Sequence, residues 1–260
     1  DKEQFLRRFV DGNRPALLRG FLHAKCGEGE GEPAGEQPWP WPALRTWRRD
    51  ELLAKHGSLS VPVRRSSQAA NEYEKAQGSG FLSNQTSLAE FLDGRRRDET
   101  DPEDDPLYLF EPVVLPGARG VDYQELLPLF SDDERFSAFD MRESANQISI
   151  GGSRTGLSWH KHSQAYNALV FGAKRWFLSA PNHSPGNQVQ STFEWSEARA
   201  SQPAAERDAQ ILSCDQQAGD VIYVPQQWWH ATLSLGETVG LAQQMGGRRG
   251  LFQLQMNRQG

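Results

Sequence analysis

Cysteine is scarce in this 260-residue chain: there are two, Cys26 and Cys214, and neither belongs to a C-x-x-C pair. A cysteine-ligated zinc site is therefore excluded. The two thiols can pair in an oxidising compartment or stand apart; the sequence leaves both open. Long apolar runs are also missing. No stretch of about 18 apolar residues occurs, so no membrane-spanning helix is expected. Positive charge is not in excess either. The formal net charge is −6, which removes the broad electrostatic case for nucleic acid. The basic runs Arg95-Arg96-Arg97 and Arg248-Arg249 are short, and Asp98, Glu99 and Asp101 follow the first, so both read as solvated loops. Gly151-Gly152-Ser153 is not a phosphate loop, because no Gly-Lys-Ser/Thr follows it. No Ser-His-Asp or Cys-His set can be picked out.

What is present suits a β-barrel. Apolar residues make up 37%, aromatics 10%, and there are 24 Gly and 15 Pro. That mix fits an all-β fold with many turns better than a helical bundle. The length fits one domain, or one domain with an extended flank. The chain opens on Asp1 rather than Met, and the expectation is that something ahead of it was removed. Two N-x-[ST] sequons, Asn84-Gln85-Thr86 and Asn182-His183-Ser184, permit a secretory location without showing it.

Residues 2–10 place Phe5, Leu6 and Phe9 at helical spacing, so a short amphipathic helix is expected. Arg14 to Gly20 reads as a first strand. Residues 27–38, rich in Gly, Glu and Pro, read as a loop. A helix is expected after Trp47, stopped by Gly57. Leu59 to Val63 reads as a strand, and Ser87 with Glu90 three residues on forms a capping-box pattern. Residues 94–106 read as a charged loop, and Leu107 to Phe110 as a strand. From Gln147 onward short apolar or alternating runs repeat between Gly and Pro: 147–150, 164–171, 173–179, 211–214, 220–224 and 229–235. This is barrel or jelly-roll spacing. Residues 182–209 form a long polar insert. The division expected is a helical and strand flank over 1–106 packed on a barrel core over 107–260, as one structural unit.

The chemistry-bearing residues are histidines. His160-Lys161-His162 follows Gly156 and precedes a run of strand character. In a strand, residues i and i+2 share a face, so both imidazoles can enter a barrel. His230 ends the segment Gly219-x5-Pro225-x4-His230 and opens the next strand. Three imidazoles from two strands make a facial set with positions left open for a ligand or water. His23, His56 and His183 read as loop or surface residues.

Three stretches resemble JmjC-domain proteins: Ser158 to His162, Val170 to Pro181 with its Gly-x-Lys-x-Trp at 172–176, and Ala218 to His230. The resemblance is strongest over 147–245. Arg14 to Gly20 and the Trp-rich stretch near 39–47 also look like the flank of the smaller JmjC hydroxylases. The likeness implies a mainly β fold, a double-stranded β-helix (jelly-roll, cupin) barrel with flanking helices. Most such proteins are Fe(II)- and 2-oxoglutarate-dependent oxygenases that act on a protein or peptide. By resemblance His160 and His230 match the two metal histidines and Lys174 matches the lysine that grips the distal carboxylate of 2-oxoglutarate; Trp176 shares its strand parity, and Asn167, two residues past the family's asparagine position and on the same strand face, is a further candidate cosubstrate contact. The subgroup most similar is found in the endoplasmic-reticulum lumen and also carries His-x-His, which implies a secretory-pathway location. No nucleic-acid partner and no membrane span are implied.

The pattern departs from the oxygenases in three places. The usual carboxylate ligand is His162 here, a hydroxyl three before the first histidine is Leu157, and an Asn nine before the lysine is Ala165. Three neutral imidazoles leave a divalent ion its full charge and suit Zn, Ni and Cu as well as Fe(II). Three readings stand: a 2-oxoglutarate-dependent hydroxylase with a variant three-His site, a catalytically inactive JmjC scaffold or binding module, and a three-His cupin-type metalloenzyme that does not use 2-oxoglutarate.

Overall fold

The structure, a computed structural model, describes residues 2–23, 41, 43–66, 84–98, 105–113, 145–186 and 190–244. The expected helix at the start is there. A first turn, α1 (Lys2–Phe5), widens into a π-helical turn over Leu6–Val10. Phe5 packs on Phe9 and edge-on against Tyr223, which seats the segment on the barrel. Then follow β1 (Ala16–Leu18), α2 (Ala43–Thr46), α3 (Arg49–His56), β2 (Ser60–Arg65), β3 (Asn84–Ser87), α4 (Leu88–Asp98) and β4 (Leu107–Val113). After 145 come β5 (Ala145–Gly151), β6 (Ala165–Phe171), β7 (Ala173–Ser179), α5 (Thr192–Ser201), β8 (Leu212–Gln217), β9 (Val221–Val224), β10 (Trp229–Ser234) and β11 (Thr238–Gln244).

The strands form two antiparallel sheets. The larger has the order β1-β9-β6-β11-β5-β4-β2-β3, and the smaller β10-β7-β8. Together they make the double-stranded β-helix jelly roll, closed over one interior. Period-2 alternation explains how one sheet serves two environments. On β5, Ile148 and Ile150 join the main core, which also holds Trp41, Trp47, Leu52, Leu88 and Leu92. Gln147 and Ser149, between them, line the interior cavity. On β11, Val239 and Leu241 face the same core while Ala242 and Gln244 line the cavity. The flank therefore covers the apolar outer face of the large sheet, and the polar positions are left to face inward. β1 and β2 of the flank pair with β9 and β4 of the barrel.

Several expectations need correction. The charged stretch from 94 does not begin as a loop: α4 runs to Asp98. Its Ser87–Glu90 capping box is made in both directions, at 3.1 and 3.2 Å, and arginine is a good helix former, so the helix outlasts its apolar face. The 182–209 insert is not featureless. α5 starts on a second capping box, Ser191 with Glu194, which the sequence shows plainly as S-x-x-E. β3 and β11 were not among the strands expected. The helix expected after Trp47 is there: α3 runs to His56 and is stopped by Gly57. The loop expected over 27–38, Cys26 and the Arg248-Arg249 run lie outside the described residues, while Cys214 carries a free, half-buried thiol.

Candidate metal centre

The pair His160-x-His162 was read with strand periodicity. The segment 155–162 is not a regular strand: it is tied to β10 by scattered backbone bonds and a single bridge between His160 and His230. Ser234 N–H donates to the Thr155 carbonyl and Thr232 N–H to that of Leu157, and His160 and His230 exchange a pair at 3.0 and 2.9 Å. Gly156 makes this approach feasible: a Cβ there would sit 1.7 Å from the Thr232 carbonyl oxygen. The two-residue periodicity survives the irregularity. One ring nitrogen from each of His160, His162 and His230 lies within 4.8 Å of the others.

The rings are oriented by the backbone. Each Nδ1 lies against a carbonyl oxygen: His160 on Ser158 at 2.7 Å, His162 on Ser163 at 2.6 Å, and His230 on Trp228 at 2.9 Å. A carbonyl only accepts, so each Nδ1 carries the proton and each Nε2 presents its lone pair. Burial pushes all three rings toward the neutral form, and the neighbouring His162 adds to the effect on His160, which falls to about 3. Yet the Nε2 atoms of His162 and His230 stand 3.1 Å apart. Two lone pairs that close repel unless a cation lies between them. A divalent cation held by both nitrogens would remove that repulsion. The donor set thus fits a divalent metal.

His160, His162, His230, Lys174, Asn167 and Trp176 all line one cavity of about 90 Å³. Lys174 is 2% exposed, and its ammonium makes one long bond, 3.3 Å, to the Ser149 hydroxyl. Burial lowers its pKa to about 8, so it is still mostly charged at neutral pH. Among the described residues no carboxylate lines the cavity. A buried cation without an anion costs several kcal/mol, roughly 3–5, and calls for an anionic ligand. Asn167 has a buried side-chain oxygen with no partner. Trp176 donates its indole N–H to Gln216 at 2.8 Å and lays its ring beside that of His230.

Sequence reasoning missed the hydroxyls. Tyr108, whose phenol is pushed up by burial and interacts with Ser149, stands with Ser149 near Lys174 in the cavity wall. The polar members of the alternating Gln147-Ile148-Ser149-Ile150 run were the available signal. The Leu157 departure also finds an explanation. Leu157 packs with Tyr108 and Phe110, and its N–H bonds the Thr232 hydroxyl from β10 at 2.9 Å.

A family model described as a cupin-like domain matches residues 2–243. The chain belongs to the cupin-like domain family. Curated relatives of this cupin-like domain carry JmjC names. It is 26% identical over 265 residues to the arginine-specific demethylase JMJ22 of Arabidopsis thaliana, covering 96% of the chain and 45% of that protein. It is 36% identical over 103 residues to JmjC domain-containing protein 8 of Homo sapiens, covering 39% of the chain and 38% of that protein. It is 27% identical over 161 residues to the bifunctional arginine demethylase and lysyl-hydroxylase psr-1 of Caenorhabditis briggsae, covering 54% of the chain and 40% of that protein. The chain thus spans less than half the length of each of these relatives. No helix among the described residues is long and apolar enough to cross a membrane.

Proposed function

We propose that this cupin-like domain is a metal-dependent oxygenase that uses 2-oxoglutarate to hydroxylate a protein or peptide side chain, with His160, His162 and His230 as its metal ligands. The observation that carries the reading is the meeting of the His162 and His230 Nε2 atoms, with both Nδ1 atoms committed to carbonyls, in the cavity that also holds the buried Lys174 ammonium. Relatives named as demethylases and as a lysyl-hydroxylase support the reaction class.

Fe(II), when bound with 2-oxoglutarate, supplies the activation of O2. The residues of the chain supply the rest. The three backbone carbonyls fix the imidazole tautomers, so the Nε2 lone pairs need no reorientation. Lys174, with the Ser149 hydroxyl beside it, would hold one carboxylate of the cosubstrate. Asn167 presents its amide to the same space. Trp176, Leu157 and Phe110 form apolar walls that exclude water and strengthen the electrostatics of the Lys174 end.

One observation favours a second reading, a three-His metalloprotein that does not turn over 2-oxoglutarate: the ligand set has no carboxylate among the described residues, which leaves the ion its full charge. Anaerobic titration with Fe(II) and then 2-oxoglutarate separates the two. A visible chelate band and 2-oxoglutarate-dependent O2 consumption support the oxygenase. Metal binding with no response to 2-oxoglutarate supports the second reading.

A further inference from the structure

β7 is a wall shared by two spaces. Lys174 and Trp176 face the metal cavity, while Arg175 and Phe177, one residue along, face the other side of the small sheet. There, between that sheet and α5, lies an open groove of about 760 Å³. We propose that this groove docks an acidic peptide segment that carries an apolar side chain.

The charge argument starts from four arginines. Arg154, Arg175, Arg199 and Arg207 line the groove against two carboxylates, Glu197 and Asp215. Asp215 is consumed by a two-point pair with Arg175 at 2.7 and 2.8 Å. Arg207 spends its donors on the backbone carbonyls of Gln202 and Ala200, and Arg199 bonds the Asp208 carbonyl at 2.9 Å. Carbonyl partners hold a guanidinium in place without cancelling its charge. The Asp208 carboxylate, bonded to His183 at 2.5 Å, lies outside the groove but within reach of the Arg199 charge. With it counted, the four arginines meet three carboxylates, a local excess of one positive charge on a chain whose net charge is −6. Pre-positioned guanidinium forks suit peptide carboxylates.

The floor is apolar. Phe177, Phe193 and Leu233 line it, and Leu235, 41% exposed, sits at its edge. The Arg154 guanidinium rests 4.8 Å from the Phe193 ring centre, which joins the charged rim to this floor. A concave site with an apolar floor and an arginine rim selects a peptide that combines acid with one buried side chain. Nucleic acid fits less well, because the chain as a whole repels it and the floor offers phosphates nothing.

The test uses the full chain and a fluorescent peptide of alternating Glu and Leu, read by anisotropy beside matched Gln–Leu and Lys–Leu peptides. The Glu–Leu peptide binds, weakens with added salt, and weakens about tenfold or more in Arg154→Glu. Leu235→Asp, on an exposed side chain, weakens it as well while the denaturation midpoint stays unchanged. Binding that is absent, equal for all three peptides or unaffected by both variants overturns the proposal. So does displacement of the peptide by a single-stranded oligonucleotide at equal concentration. Metal content is measured alongside and is expected not to change.

Discussion

The Nε2 atoms of His162 and His230 lie 3.1 Å apart, on rings whose Nδ1 atoms both face backbone carbonyls. Neither ring has a proton to offer the other, and burial opposes the arrival of one. The contact makes sense around a cation.

His162→Asp restores the two-His-one-carboxylate ligand set and lowers the charge of the loaded site by one. On the oxygenase reading it raises 2-oxoglutarate-coupled O2 consumption above that of the original chain at equal Fe(II). Succinate formation measured for both proteins at matched metal occupancy checks this. No gain in the variant, with the metal fully loaded, counts against an oxygenase impaired only by its missing carboxylate; a loss of activity or a change of preferred metal marks the three-His set as the working centre.

Lys174→Ala removes the buried cation of the cavity wall. A charge-assisted hydrogen bond is worth about 1.5–3 kcal/mol, so affinity for 2-oxoglutarate falls by roughly ten- to a hundredfold. Metal affinity changes little, because Lys174 is not a ligand. Titration of metal and cosubstrate in separate experiments reads the two effects independently.

The same lysine gives a pH signature. Its folded pKa is lowered to about 8, against 10.5 for the unperturbed group. Between those values the unfolded chain holds a proton that the folded chain does not. Stability of the ligand-free chain therefore gains a contribution as pH rises through that window, of about 3 kcal/mol at most. Lys174→Met abolishes the gain. Urea denaturation of both proteins at about pH 7.5 and about pH 10 measures the difference, and parallel behaviour of the two would disprove the assignment.

Gly156→Ala places a methyl group into the Thr232 carbonyl. The segment carrying His160 and His162 must then lift from β10. A loss of about 3 kcal/mol or more is expected, together with weaker metal binding. Chemical denaturation and metal titration of the variant test both parts.

Much of this was legible in the sequence because it follows short-range rules. The His160-x-His162 spacing and the Gly219-to-His230 segment picked out the three histidines that the fold brings together, and Gly-x-Lys-x-Trp placed Lys174 and Trp176 on one strand face. The regularity of the histidine segment was overestimated. Its bonds to β10 are long-range and uneven, and no local pattern encodes them. Tyr108 and Ser149 reach the same cavity wall through the pairing of β4 with β5, across a sequence gap that periodicity does not bridge. α5 was overlooked although Ser191 and Glu194 announced it, because the surrounding polar composition outweighed a two-residue cap.

The most direct test is metal stoichiometry. The purified chain, stripped and then titrated anaerobically with Fe(II), should bind one equivalent. His160→Ala, His162→Ala and His230→Ala should each lose most of that affinity while keeping the β-sheet circular dichroism of the parent. Undiminished binding in a folded His230→Ala variant, or no binding by the parent chain, would contradict the account.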